Sequence, residues 1–247
     1  MVTCLDLRLE RAFAELVEAV LGRIASGDAG MASFVSAVLE MRRLFVAPPP
    51  DKVEERRIRG LVAELILLER LTRLHPRAVE LWFGPDNDRH DFRGGNTAIE
   101  VKSSARETGH VVISSVEQLA APVAGTLHLR RYVLERTSGG GISVGTLLEA
   151  ILEGGAPEQP VRERLAAMDC PDPTSDAWNH VSFNIERSET YLVTGDFPRV
   201  TPASFTGGLP NGVGGITYEI DLAAASSLRL GDSEVLKLEK MIVAGLA

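Results

Sequence analysis

Asp91, Glu100 and Lys102 are the residues of this chain whose types and spacing could do chemistry. Asp91 stands in His90-Asp91-Phe92, and the other two stand in Ile99-Glu100-Val101-Lys102-Ser103. Two carboxylates on neighbouring strands can bind a hard cation such as Mg2+, which takes oxygen ligands and keeps several waters. A lysine two residues after Glu100 shares its strand face, because side chains alternate with period two. It could touch the water or phosphate that the metal activates. That is the layout of a metal-dependent phosphodiesterase. The same letters also fit an ordinary strand with one solvated face, so the surrounding elements decide the matter.

Those elements follow from the apolar spacing. Residues 6–25 and 31–46 show helical periodicity, joined at Ser26-Gly27-Asp28-Ala29-Gly30. Pro48-Pro49-Pro50 then makes an internal boundary. A long helix is predicted over 52–74, with a basic start (Arg56, Arg57, Arg59) and a stop at Pro76. The period next changes to two, and short strands are expected at 79–83, 90–93, 98–103 and 111–114. Ser115-Val116-Glu117-Gln118 reads as a capping box opening a helix. A strand over 126–135, helices over 143–153 and 158–168, and strands at 181–186, 189–194 and 215–222 complete the order. This is an α/β arrangement, a central mixed sheet flanked by helices. The expected domains are an N-terminal helical appendage (1–47), a core (52–136), and a C-terminal α/β, β-rich extension packed on that core (137–247).

A metal site needs supporting groups. Glu64 lies inside Leu61-Val62-Ala63-Glu64-Leu65-Ile66-Leu67-Leu68, and carboxylates are rarely buried without a partner or a metal. It either serves the site or pairs at the helix rim with Arg57 or Lys52. Gln118 either reaches phosphate or metal-bound water, or closes the capping box. Asp86 and Asp88 are turn residues and alternatives to Asp91 as a ligand. His90 faces away from Asp91 and suits a structural role. Arg93, Ser103, His110 and Arg130 are the residues expected to meet nucleic acid, with His128 and Arg131 beside them on a phosphate-tracking surface.

Composition sets limits. A chain of 247 residues with 45% hydrophobic and 24% charged residues is globular, so neither disorder nor a membrane class is indicated. No apolar run approaches the roughly 20 residues of a membrane span. The first residues lack the basic and apolar regions of a signal peptide. Cys4 and Cys170 are the only cysteines and have no zinc spacing, so a reduced, cytoplasmic protein is expected. The net charge of −8 argues against a generic nucleic-acid binder. The charge is uneven, however: residues 52–136 hold 14 Lys and Arg against 12 Asp and Glu, so the segment carrying the candidate site permits phosphate binding. No P-loop and no nucleophile elbow occurs.

Taken together, these blocks resemble the PD-(D/E)xK nuclease superfamily, and more closely a bacterial group called PD-(D/E)xK motif proteins. The resemblance rests on Gly60-Leu61-Val62-Ala63-Glu64-Leu65, Trp82-Phe83-Gly84-Pro85, His90-Asp91-Phe92, Ile99-Glu100-Val101-Lys102-Ser103 and Ser114-Ser115-Val116-Glu117-Gln118-Leu119. Later segments, Phe197-Pro198-Arg199-Val200-Thr201 and Ile216-Thr217-Tyr218-Glu219-Ile220-Asp221-Leu222, extend it. His90 stands where the superfamily's name puts proline. The resemblance implies a restriction-endonuclease-like fold and Mg2+-dependent cleavage of DNA, with Mn2+ able to substitute, often within restriction or phage-defence gene sets. It implies Asp91, Glu100, the Val101 carbonyl and Glu64 as metal ligands, with Lys102 as the motif's lysine. Gln118, from its position at the start of the next helix, is expected to complete the catalytic group. Double-strand cleavage on this fold often uses two sites, which suits a homodimer, and partner proteins of a defence cluster are a further expectation. The competing class is a catalytically inactive subunit that binds nucleic acid or scaffolds such a complex. RNA or tRNA cleavage is a third reading.

Overall fold

A computed structural model describes residues 10–25, 52–86, 88–105, 109–208, 212–213 and 215–246. The chain divides into two units, residues 1–51 and 52–247. In the first, helix α1 spans Glu10–Ala25. The helix expected over 31–46 lies outside the described residues.

The second unit is built on a four-stranded sheet. Its strands are β1 (Phe92–Gly94), β2 (Thr97–Ser104), β4 (Thr126–Thr137) and β5 (Ser182–Val193), in that spatial order. β2 runs parallel to β4, whereas β1 and β5 are antiparallel to their neighbours. A two-stranded antiparallel sheet pairs β3 (His110–Ile113), which falls between β2 and β4 in the chain, with β6 (Tyr218–Asp221), which follows β5.

Helix α2 (Glu55–Thr72) buries Leu61, Val62, Ala63, Leu65, Ile66, Leu67 and Leu68. A helical stretch apolar on almost every side belongs in the middle of a protein, and the charged residues of α2 other than Glu64 are gathered towards its ends. It packs with Phe92, Ile99, Val101, Tyr132, Leu134 and Phe183 from one face of the sheet. Helices α3 (Val144–Glu153), α4 (Glu158–Ala167), the short α5 (Asp176–Asn179) and α6 (Asp232–Val243) add Leu148, Val161, Trp178 and Ile242 to the same core. Each fully buried Leu or Ile contributes roughly 1.5–3 kcal/mol by leaving water. The other sheet face carries Ala98, Leu127, Leu129, Tyr191 and Val193. These pack on Val111, Ile113 and Ile220 of the small sheet, with Leu119 and Phe197. The result is an α/β fold with a mixed sheet flanked by helices, consistent with a restriction-endonuclease-like architecture. Among the described residues, no helix is long and apolar enough to cross a membrane.

Several local expectations are corrected. Residues 79–83 are not a strand. Pro76 at the first position of a 3-10 helix (Pro76–Leu81), with the His75 side chain accepting from the Arg77 amide, commits the chain to helical turns up to Trp82. The two strands expected at 181–186 and 189–194 are one, β5, whose exposed middle reads as a break. Beyond the strand expected over 215–222, where the sequence pattern is ambiguous, the chain forms helix α6. Residues 137–247 supply β5 to the sheet and α3 to the core of the second unit.

Candidate active site

β2 turns Glu100 and Lys102 to the same side, and the Lys102 ammonium pairs with Glu100 Oε1 at 2.8 Å. The same ammonium donates to Gln118 Oε1 at 3.1 Å, and the Ser114 amide donates to that oxygen at 2.9 Å. Gln118 comes from a 3-10 turn, Val116–Leu119, in which Ser115 makes no side-chain cap. The capping-box expectation is therefore corrected. A four-residue turn has no long row of orphan amides to satisfy, and Gln118 is drawn to Lys102 instead.

Asp91 stands one step before β1. Phe92 pairs with Ile99, so the next step of an antiparallel register sets Asp91 opposite Glu100. Its Oδ2 accepts from the Val101 amide at 2.7 Å, and its carbonyl accepts from the amides of Phe83 (2.7 Å) and Gly84 (3.1 Å). Glu64 reaches the group from α2. Its Oε2 accepts from Trp82 Nε1 at 2.7 Å, and Arg57 is engaged elsewhere, with Asp169 and the Met168 carbonyl. The rim pairing of Glu64 with Arg57 is thus not formed.

Electrostatics follow from burial. Glu100 is 1% exposed, and its pKa is pushed up to about 8 by desolvation first and by Asp91 second, with Lys102 pulling the other way. Burial, then the Asp91 charge, raises Glu64 well above the usual carboxylate range, against the pull of the Trp82 hydrogen bond. Asp91 is raised by burial and partly held down by the Val101 amide. Three carboxylates thus share one ammonium.

Glu100 Oε2 is buried and has no hydrogen-bond partner. An unpaired buried carboxylate oxygen carries a desolvation penalty of several kcal/mol that a cation would remove. Gly84 adds space: a Cβ there would lie 2.6 Å from Glu64 Oε2 and 3.3 Å from Asp91 Oδ1. Among the described residues no three His, Cys, Asp or Glu side chains form a ready-made metal cage. Asp91 and Glu100, set opposite each other with one Glu100 oxygen unpaired, suit a divalent cation that takes one or two carboxylates and completes its shell with water.

Over residues 1–223 the sequence matches a family described as "Putative PD-(D/E)XK family member, (DUF4420)". The chain belongs to this PD-(D/E)XK family. No curated protein and no solved structure was found to match it. The family's name sets a motif of acid, acid and lysine, and the residues that stand here in that order are Asp91, just before β1, and Glu100 and Lys102 on β2.

Within this PD-(D/E)XK chain the residues expected to meet nucleic acid are dispersed. Arg130 is 4% exposed on the α2 side of the sheet, where it donates to Thr190 and pairs with Glu239. A phosphate cannot reach it, and that expectation is corrected. His128 lies on the same buried side. Ser103 alternates onto the face of Ile99 and Val101, away from Lys102. Arg131 shares the Lys102 side but is 2% exposed and paired with Glu189. His110 is exposed at the start of β3, opposite Asp221. Arg93 is part-exposed, stacked over Phe83 and paired with Asp88, so Asp88 has an occupation of its own, as Asp86 has with Arg164. His90 is buried and its Nε2 meets the Ala120 carbonyl at 3.0 Å.

Sequence reasoning missed Trp82 and Gly84 as parts of the site. Both stand in the Trp82-Phe83-Gly84-Pro85 block, whose turn residues identify a bend and nothing more.

Proposed function

We propose that this protein is a Mg2+-dependent endonuclease that hydrolyses DNA phosphodiester bonds in a bacterial restriction or phage-defence setting. One observation carries the reading. Glu100 gives one oxygen to Lys102 and keeps the other buried without a partner, beside Asp91, on a chain of the PD-(D/E)XK family.

Asp91, Glu100 and the Val101 carbonyl, with Glu64 in reach, would hold Mg2+ or Mn2+. The ion supplies Lewis acidity to the scissile phosphate and a lowered pKa to a water. Lys102 has three N–H groups, of which two go to Glu100 and Gln118. The third is free to donate to the attacking water or to a non-bridging phosphate oxygen as negative charge grows there. Gln118, itself fixed by the Ser114 amide, holds the flexible lysine stem in one arrangement. Asp91 is held at its carboxylate and its carbonyl, so its position is set before substrate arrives. A homodimer would bring two such sites to the two strands. The exposed Val17, Leu21 and Ile24 along α1 offer an apolar stripe for a second copy.

The test is cleavage of single-stranded, double-stranded and modified DNA, with RNA alongside, in Mg2+ and in Mn2+, by the wild type and Lys102→Ala. Metal-stimulated cleavage lost in Lys102→Ala supports the reading. Binding without cleavage in any metal establishes instead the inactive-subunit class, and cleavage confined to RNA replaces the substrate.

A further inference from the structure

Glu64 and Asp91 arrive from different elements, α2 and the approach to β1, yet one short segment touches both. Trp82 Nε1 donates to Glu64 Oε2, and the next two amides, Phe83 and Gly84, both donate to the Asp91 carbonyl. The Trp82 ring is fully buried and stacked on Phe92, centroids 6.4 Å apart and planes 13° from parallel. Its backbone bridges Phe92 as well. The indole N–H therefore points where the surrounding packing sends it, not where the carboxylate calls it.

The kind of donor matters. An indole N–H is a neutral donor that accepts nothing. An arginine or lysine in its place would orient Glu64 equally well, but would bring a charge that repels a metal ion. Trp82 fixes one oxygen and leaves the negative charge of Glu64, with Oε1, to attract a cation. Gly84 keeps the approach clear. A Cβ there would stand 2.6 Å from Glu64 Oε2, 3.3 Å from Asp91 Oδ1 and 3.3 Å from Trp82 Nε1, so the gap among these three atoms is too small for a methyl group and only glycine leaves it clear.

We infer that Trp82 is a positioning residue of the cation site, setting Glu64 beside Asp91 through its indole N–H, with Gly84 holding open the space between them. The inference rests on the proposed cation site, and not on whether DNA is the substrate.

Metal binding tests it without any nuclease assay. The chain has two tryptophans, so Trp178→Phe leaves Trp82 as the only indole. Mn2+ is titrated into that background, followed by calorimetry and by indole emission. Saturable quenching is expected with the same midpoint as the heat. Trp82→Phe, followed by calorimetry, is expected to weaken Mn2+ binding about 10-fold or more, the range for partners of metal ligands. Gly84→Ala should weaken it in the same direction, and serves as the second probe if Trp82→Phe is poorly folded. The deciding measurement is the cycle with Glu64→Gln. If Trp82 acts through Glu64, Trp82→Phe adds little in that background, whereas a general packing defect adds in full. Unchanged Mn2+ affinity in both Trp82→Phe and Gly84→Ala, or full additivity, overturns the inference alone. No Mn2+ binding by the wild type overturns it together with the cation site. Mn2+ binding of the expected pattern without DNA cleavage supports the inference and overturns only the nuclease reading.

Discussion

Lys102 and Gln118 are joined by a 3.1 Å hydrogen bond that ties β2 to the 3-10 turn following β3. The acceptor oxygen is itself held by the Ser114 amide, so the lysine is anchored at its tip to main chain through a single amide group. Removing that group by Gln118→Ala should lower cleavage about 10- to 100-fold through kcat, since a loosened lysine loses transition-state contact more than substrate binding. The melting temperature should stay within a few degrees, because Gln118 is only half-buried. An unchanged kcat would remove Gln118 from the site.

Glu100 makes stability fall as pH rises. Its folded pKa of about 8 lies above the ordinary value of 4.5, so between those pH values the native state holds a proton that the unfolded chain has released. More protons on the native than on the unfolded state means that unfolding free energy decreases with pH across this window. In EDTA the melting temperature should therefore decline from about pH 5 to about pH 8, and Glu100→Gln should flatten the curve. Parallel curves for the two proteins would show that Glu100 does not titrate as its burial implies. Added Mg2+ should stabilise the wild type more at pH 8 than at pH 6, since a cation competes with that proton.

Arg130 is structural. It and Arg70 converge on Glu239 of α6, which is 2% exposed and receives two bonds from Arg70, at 2.8 and 2.9 Å. Glu239→Ala leaves a buried guanidinium without its counter-charge and should cost about 3–5 kcal/mol, read by urea unfolding. Arg130→Ala should destabilise comparably while leaving any DNA affinity of the folded fraction unchanged. A selective loss of DNA binding at full stability would contradict the buried placement.

Among the residues expected to meet nucleic acid, Arg93 is the one whose placement leaves that role open, and it is the one to test. It shares a side of the strand with Asp91, is partly exposed, and needs only to release Asp88 to meet a phosphate. Arg93→Ala should weaken DNA binding several-fold at low salt and reduce the salt dependence of log K by about one charge's worth. An unaltered salt slope would place the backbone contact elsewhere.

How much of this was legible in the sequence depends on how local each cause is. The facing of Asp91 and Glu100, and the shared side of Glu100 and Lys102, follow from strand periodicity and a short Gly95-Asn96 turn. The placement of Glu64 follows from one acid in an apolar helix. Other features depend on distant partners. Gln118 fits a capping-box pattern equally well, and only the position of Lys102 decides against it. Arg130 and Arg131 are adjacent in an alternating strand and look alike, yet each is buried on its own side by an acid far along the chain, Glu239 or Glu189. In β5, Asn184-Ile185-Glu186-Arg187-Ser188 is exposed because it lies on an edge strand, and an exposed polar run in an edge strand has the composition of a turn.

The backbone around β1 has a consequence for how copies of this protein can meet. β1 is a border strand of the sheet, and such borders ordinarily offer unpaired amides and carbonyls on which a strand from another chain can grow. Here Trp82 bridges Phe92 from outside, and Phe83 and Gly84 spend their amides on the Asp91 carbonyl. Helix α6 presses so closely that a Cβ on Gly94 would overlap the Ile242 carbonyl. The margin bearing the acidic residues is thereby sealed against strand exchange. The sheet cannot be lengthened on that side into a continuous ribbon, and the carboxylates stay out of reach of intermolecular β-pairing.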